Sequence, residues 1–262
     1  MNKKNPNKVA IYRCVFSDYD IILPELQVYE NIDYYLFTDN ANLDIFPYKT
    51  IFTDSKYRSP SLDNRFIKII LPDILKAYDT TIYVDANIAI VGDFNILINE
   101  FWSSNSDIGL FSHPCHNSLE EEVELCIAKN KSSEMKLKNE LNFYSNLDFP
   151  GSGKFSENSV IFRRKHSSNM NNAMSHWFNL VKKFSGRDQM SLPTIRSQYN
   201  LQEYFFDFSP RTPHNNHFIA LPHKQKWGWG LPSIIKYLKY FIKFNAKSLL
   251  RYFIFYRSKV KQ

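Results

Sequence analysis

Short apolar segments with strand character alternate with helical segments along residues 9–198 of this 262-residue chain. Strands are expected at residues 9–16, 34–38, 49–53, 81–84, 108–112 and 159–163. Helices are expected at 65–77, 93–102, 120–144 (one helix or two), 170–184 and 188–198, with a short helix in the loop 18–29. This alternation predicts an α/β layered fold with parallel central strands. In such sheets the ligand crevice lies at the carboxyl ends of the strands, where we expect Arg13, Asp39, Asp85 and His113.

The composition limits the class of protein. With 44% hydrophobic and 16% aromatic residues, the chain can bury one large core or two small ones and is not a disordered polypeptide. The three cysteines, Cys14, Cys115 and Cys126, have neither metal-binding spacing nor an even number, as expected of free thiols in a reducing cytosol. The apolar segment 8–16 is too short and too interrupted by charge to be a signal peptide.

Positive charge is concentrated towards the C-terminus. Residues 208–262 contain eleven of the 33 Lys and Arg and none of the Asp and Glu, so residues 1–207, with 22 basic and 26 acidic side chains, carry a net charge of −4. In the apolar segment 233–256 five cations recur every three or four residues, namely Lys236, Lys239, Lys243, Lys247 and Arg251. This spacing predicts a basic amphipathic helix.

We expect that helix to lie on an anionic membrane surface, on the inner face of the cell membrane. A partner-binding or packing helix is the alternative. Nucleic acid is not expected as a partner, because the basic stripe is not interleaved with base-reading side chains. The chain is therefore divided into a domain at residues 1–230 and a tail at residues 231–262.

The tripeptide Asp85-Ala86-Asn87 interrupts an apolar, β-branched segment. A buried carboxylate is costly unless a cation or strong donors meet it. Residues two apart in an extended chain point to the same side, so Asp85 and Asn87 can present oxygens to one ligand, and such oxygens suit Mg²⁺ or Mn²⁺. A polar strand end that turns into a loop is the alternative.

Several motifs occur together in one order. They are Arg65-Phe66-Ile67-Lys68, the segment from Tyr78 to Ile88, His113-Pro114-Cys115-His116, Glu120-Glu121-Glu122 and Arg187-Asp188-Gln189-Met190-Ser191. In this order they resemble a glycosyltransferase-like family that was long catalogued as a domain of unknown function and includes plant mucilage-related proteins. The resemblance covers residues 9–200. His116 stands where the family usually has Arg, and Ala86 where it usually has Gly.

The resemblance implies a GT-A-like three-layer sandwich that uses a nucleotide-diphospho-sugar donor. In that fold an acidic motif at the end of a central strand holds a divalent metal on the donor diphosphate, a place that Asp85 and Asn87 occupy here. The leaving diphosphate accumulates negative charge, which a metal or clamping cations stabilise. Asn is a weaker ligand than Asp, so either fewer carboxylates hold the metal or Arg and Lys take over part of its work.

The resemblance also implies roles for residues near the donor. Arg65 and Lys68 lie one turn apart on one helix and can face the phosphates, with a solvated helix face as the alternative. Tyr12 and Arg13 lie towards the end of the first strand, where related enzymes seat the base and ribose, although Tyr12 can equally be a core residue. Thr38 and Asp39 end the second strand, where an Asx turn is the alternative.

The remaining site residues are implied in the same way. Arg187, Asp188 and Gln189 are expected to be catalytic or to bind the sugar, with Asp188 as helix N-cap the alternative. His113, His116 and Glu121 are expected near the acceptor or sugar, and His223 is expected as a further metal ligand.

Together these observations predict a glycosyltransferase acting on a glycan or lipid-linked acceptor, in bacterial surface polysaccharide or lipopolysaccharide synthesis. Two alternatives are a catalytically silent binding protein of the same fold and a phosphotransferase that uses the same diphosphate crevice.

Overall fold

The structure is a computed structural model, and it describes residues 8–223 apart from 21, 23, 116, 148–153, 165–166, 214 and 222. The strands are β1 Val9–Val15, β2 Ile32–Thr38, β3 Lys49–Phe52, β4 Thr80–Val84, β5 Ile88–Ile90, β6 Ile108–Ser112, β7 Ser156–Arg164, β8 Glu203–Phe206 and β9 Phe218–Ala220. The helices are α1 Pro60–Ile69, α2 Phe94–Ser104, α3 Leu119–Ala128, α4 Glu134–Ser145, α5 Ser168–Lys183 and α6 Asp188–Gln198.

Seven of these strands form the central sheet, in the order β3-β2-β1-β4-β7-β6-β8. The pairs β3–β2, β2–β1, β1–β4 and β6–β8 are parallel, whereas β7 runs antiparallel to both of its neighbours. The sheet is therefore mostly parallel, as the sequence predicts. The reversal of β7 brings the beginning of this strand to the edge where β4 and β6 end.

Successive residues of a strand point to opposite faces of the sheet, and the two faces are covered differently. Tyr12 and Cys14 of β1 belong to the core formed with α1 and α3 to α6, whereas Ile11 and Val15 belong to the core formed with α2, β5 and β9. The small β5–β9 sheet and α2 thus make one outer layer, and five helices make the other. This arrangement confirms the three-layer α/β sandwich.

Some elements differ from the prediction. Helix α1 ends at Ile69, three residues before Pro72, which has no N–H to continue it, and a single 3₁₀ turn, Asp73–Leu75, follows. The helical segment expected at 120–144 is two helices, separated at Ser133, whose hydroxyl caps α4. In the described part of the loop 18–29 no helix forms.

No helix in the described part of the chain combines the length and the hydropathy needed to cross a membrane. The tail predicted at residues 231–262 and the boundary at residue 230 lie outside the described residues.

Candidate active site

A cavity of about 430 Å³ opens where the carboxyl ends of β1, β4 and β6 meet the beginning of β7 and the first turn of α6. Its volume lies within the range of about 300–1,000 Å³ that is usual for small-molecule sites. The lining includes Arg65, Lys68, Asp85, Asn87, His113, Arg187, Asp188, Gln189 and His223, all expected from the sequence. Motifs that are far apart along the chain therefore meet in one place, at the edge of the sheet that the fold class predicts.

Asp85 stands directly after β4, and its carboxylate is surrounded by donors. Its Oδ1 accepts a hydrogen bond from the hydroxyl of Tyr83 at 2.9 Å and lies 3.8 Å from Nζ of Lys68. Its Oδ2 accepts from Nη2 of Arg211 at 3.1 Å. Both oxygens of Asp85 are thus engaged by the protein, and two of the three partners are cations.

The turn that carries Asp85 is held in place by hydrogen bonds from the buried side chain of Arg13. Nη1 of Arg13 donates to the carbonyl oxygens of Asp85 and Ile88, at 2.8 and 2.6 Å. The rest of its guanidinium is held by Glu25 at 2.6 Å and by the hydroxyl of Tyr48. Arg13 is only 2% exposed and does not line the cavity, so its position corrects the prediction that it contacts the base or ribose. Its guanidinium positions the Asp85 turn.

Lys68 also contacts Asp188, whose carboxylate is buried. Nζ of Lys68 lies 2.5 Å from Oδ2 of Asp188, and both side chains are less than a tenth exposed. Nε of Arg65 lies 3.9 Å from Oδ1. Burial opposes ionisation of Asp188, but the charges of Lys68, Arg65 and Arg187 outweigh burial and hold the pKa of this carboxyl well below its usual range. Lys68 therefore bridges two carboxylates that come from motifs about 100 residues apart.

Asp188 does not act as an N-cap. Arg187 holds the N-cap position of α6, and no side chain makes a capping hydrogen bond there. Gly186 precedes it with φ +78°, a left-handed conformation that glycine adopts without strain and that turns the chain from α5 into α6. The first turn of α6 thus presents Asp188 to Lys68, so the capping alternative is ruled out.

Arg187 and Gln189 form a hydrogen-bonded pair beside Asp188. Nη2 of Arg187 donates to Oε1 of Gln189 at 2.5 Å and to Oε1 of Glu122 at 2.9 Å. Among the described residues, Nε2 of Gln189 has no hydrogen-bond partner, so this amide is available to a ligand in the cavity.

Two further residues of the site, Glu157 and Arg211, were missed by the sequence reasoning. Oε1 of Glu157, near the start of β7, accepts from Nε of Arg211 at 3.0 Å, and its Oε2 lies 4.0 Å from Nε2 of His113. Burial raises the pKa of Glu157, but the charge and hydrogen bond of Arg211 outweigh burial and leave that pKa lowered. A polar Ser-Glu-Asn-Ser segment before an apolar strand is a weak signal, and only the antiparallel direction of β7 brings it to this edge.

Other predicted residues have structural positions. Tyr12 is fully buried, donates to the carbonyl of Lys68 and accepts from Arg163, so the core alternative is correct and its ring has no free face for a base. Thr38 accepts from the backbone N–H of Asn40, which is a local turn as in the alternative. Asp39 instead accepts from the backbone N–H of Ser17, in the loop after β1, so its role is structural but it is not an Asx turn.

Thr38, Asp39 and Glu121 do not line the cavity. Glu121 accepts from the backbone N–H of Asn117 at the start of α3, so it caps this helix and Glu122 takes the place beside the cavity. His116 lies outside the described residues.

The three expected metal ligands, Asp85, Asn87 and His223, all line the cavity, and the side chain of each already has a partner in the protein. Nδ2 of Asn87 donates to the carbonyl of Leu221, while its buried Oδ1 has no partner among the described residues. Nδ1 of His223 is 2.7 Å from Asp20, and Asp85 is engaged by Lys68 and Arg211. Within the described ranges, no three or more His, Cys, Asp or Glu side chains are grouped to hold a metal ion. In the described ranges these donors therefore do not form a site in which the protein alone holds a divalent ion.

Comparison with solved structures gives distant similarities. One is to a WbbM bifunctional glycosyltransferase, at 11% identity and a TM-score of 0.44, over 80% of this chain and 40% of that chain. Another is to mouse xyloside xylosyltransferase 1, at 12% identity and a TM-score of 0.44, over 76% and 85% of the two chains. The chain therefore spans less than half of the WbbM chain. At this level neither similarity supports an argument about function.

Comparison with curated proteins finds no significant match. A family model does match, over residues 49–209, which is more than half of the chain. The match contains all lining residues of the cavity except Cys14, Val15, Tyr19, Asp20, Arg211 and His223. The family is described as the TOD1/MUCI70 glycosyltransferase-like domain. On this match, the chain belongs to the TOD1/MUCI70 glycosyltransferase-like family.

Proposed function

We propose that the chain transfers a sugar, in the manner of a hexosyltransferase, from a nucleotide-diphospho-sugar donor to a glycan or lipid-linked acceptor. The observation that carries this proposal is the convergence of Asp85 and the Arg187–Gln189 segment on one cavity rich in buried charge. The family match supports transfer of a sugar as the reaction class.

The cations of the cavity suit the diphosphate of such a donor, and its carboxylates suit the sugar. Lys68 and Arg211 can meet the diphosphate, whose negative charge grows as the bond to the sugar breaks. Asp188 and Glu157 are ionised at neutral pH because their pKa values are lowered, so they accept hydrogen bonds from sugar hydroxyls. Nε2 of Gln189, which has no hydrogen-bond partner among the described residues, supplies a donor beside them.

The test is a panel of nucleotide sugars, incubated with and without Mn²⁺, with release of nucleoside diphosphate and transfer or hydrolysis of the sugar as the measured products. We expect at least one donor to be turned over, and Gln189→Ala to lower that turnover. Gln198→Ala is the matched control, since it removes the same side chain from the exposed end of the same helix. A site that binds donors without releasing sugar would support a silent binding protein, and transfer of a phosphoryl group would support the phosphotransferase alternative.

We further propose that the acceptor is lipid-linked, on the cytoplasmic face of a bacterial cell membrane, in surface polysaccharide or lipopolysaccharide synthesis. The support is the sequence of the tail, with its regularly spaced cations on an apolar segment and no carboxylate after Asp207.

Vesicle flotation tests the membrane part of this proposal. Full-length protein should bind anionic vesicles, and binding should weaken as salt rises, because surface charges are screened over about 8 Å at physiological ionic strength. A protein that ends at Gly230 should stay in solution and still turn over a water-soluble acceptor analogue. Equal flotation of the two proteins would exclude the membrane role and favour a packing or oligomerisation helix.

A further inference from the structure

We propose that Arg211, Lys68 and Arg65 hold the diphosphate of the donor directly, so that donor binding requires no divalent ion. This inference rests on the proposed function and names how the same site binds its donor. Its starting point is the disagreement between the metal that the sequence predicts and the partners that the structure gives to Asp85.

The carboxylate of Asp85 already has cationic partners on both of its oxygens. Arg211 occupies one of its oxygens at 3.1 Å, and the hydroxyl of Tyr83 with the ammonium of Lys68 occupies the other. A divalent ion on Asp85 would share that carboxylate with two cations a few ångströms away and would be repelled by both. Asn87 cannot offset this repulsion, because an amide oxygen carries no net charge.

Arg211 keeps part of its guanidinium available for a ligand. Arg211 uses Nε for Glu157 and Nη2 for Asp85, and in the described part of the chain its Nη1 makes no hydrogen bond. The side chain of Arg211 is 31% exposed, so that free edge can be reached from the cavity. A planar guanidinium suits the paired oxygens of a phosphate.

Arg65 adds a third positive group. Its Nη1 donates to the carbonyl of Ser61, while its Nε is buried, 3.9 Å from Asp188 and without a hydrogen bond among the described residues. The Arg65 side chain as a whole is 20% exposed and lines the cavity, so its positive charge is close enough to attract a diphosphate there.

The net charge of the cavity lining also favours a phosphate ligand. Six Lys and Arg line the cavity against five Asp and Glu, whereas residues 1–207 as a whole carry more acidic than basic side chains. The lining therefore carries one more positive than negative side chain, in a domain whose overall charge is negative. The carboxylates in the lining orient these cations, as Glu157 and Asp85 do for Arg211.

The experiment is calorimetric titration of the full chain with UDP and with GDP, in EDTA and again in Mn²⁺. We expect one of the two to bind in EDTA with an affinity within about threefold of that in Mn²⁺. Arg211→Gln should weaken this binding by tenfold or more, and Arg211→Lys, which keeps the charge but loses the fork, should fall between.

The matched control is Arg164→Gln. The guanidinium of Arg164 is likewise held by hydrogen bonds, here to the carbonyl oxygens of Phe101 and Trp102, but Arg164 does not line the cavity. It should leave nucleotide affinity within about twofold. Thermal melts of each variant identify any loss that comes from unfolding.

Binding that appears only with Mn²⁺ would overturn this inference and leave the proposed function standing. Equal loss of affinity in Arg211→Gln and Arg164→Gln, with both proteins folded, would also overturn it. If neither nucleotide binds under either condition and no nucleotide sugar is turned over, the proposed function itself fails.

Discussion

The substitution Asp188→Asn tests the central ion pair of the site. Asp188 lies 2.5 Å from Lys68 and 3.9 Å from Arg65, and the side chains of Asp188 and Lys68 are 7% and 8% exposed. Asn keeps the shape of Asp but removes the charge, and leaves the ammonium of Lys68 buried with Asp85 at 3.8 Å as its remaining anion.

Removal of one member of a buried ion pair costs about 3–5 kcal/mol of unfolding free energy. Domains are stable by about 5–15 kcal/mol, so the variant should still fold. At about 2–4 °C per kcal/mol for a chain of roughly this size, the melting temperature should fall by about 6–20 °C. Turnover per folded molecule should fall about 10²-fold or more, as for loss of a positioned carboxylate.

The assay is urea and thermal unfolding followed by circular dichroism, with Asp93→Asn as the matched control. Asp93 is exposed and caps α2 by accepting from the N–H of Asn95. Asn caps about as well as Asp, so this control should change stability by less than about 0.5 kcal/mol. The double variant Asp188→Asn/Lys68→Met should be more stable than the sum of the single effects, because it leaves no unpaired ammonium. The reasoning is refuted if Asp188→Asn is no less stable than the control.

Three further predictions concern the same network. Asp85→Ala should abolish turnover but lower the unfolding free energy by only about 1–2 kcal/mol, because Lys68 retains Asp188 as a partner. A thermal melt and a rate measurement on the same variant check the two expectations. Arg13→Met should lower the unfolding free energy by about 3–5 kcal/mol, since Glu25 then stays buried without the guanidinium of Arg13. Unchanged stability in urea would contradict the role given to Arg13. The pKa of Asp188 is lowered in the folded state, so its ionised form stabilises the fold fully above about pH 4, near the unfolded pKa, and this stabilisation is lost as pH falls further. The difference in unfolding free energy between wild type and Asp188→Asn should therefore shrink on acid titration.

The fold could be predicted because its signals are local. The strand and helix periods appear in contiguous residues, and most of the predicted strands and helices are present in the structure. The main exceptions are short or depend on the rest of the fold. Strands β5 and β9 have three residues each and pair only with each other, across about 130 residues of chain, so neither has a pattern of its own.

The site could be predicted only in part, for a related reason. Asp85, Lys68 and Asp188 belong to motifs with recognisable composition, and the structure brings all three together. Arg211 lies in a loop without a pattern, and Glu157 reaches the cavity only because β7 runs antiparallel to β4. Conversely, Arg13 stands at a strand end as expected, but whether such a side chain points to a ligand or to a backbone carbonyl depends on packing that no local pattern records.

The turn at Asp85 is held by residues from both ends of the described domain. Arg13 lies 72 residues before Asp85, Arg211 lies 126 residues after it, and the carbonyl of Leu221 accepts from Asn87 across 134 residues. On the ribosome, β1 and β4 can pair long before Leu221 has been synthesised, since chains fold from the N-terminus as they emerge. The turn at Asp85 therefore receives its last contacts only after Leu221 has left the ribosome. A nascent chain that has not yet reached Leu221 can pair β1 with β4 but lacks the contacts that complete the cavity, so the cavity becomes functional only after the strands beneath it have formed.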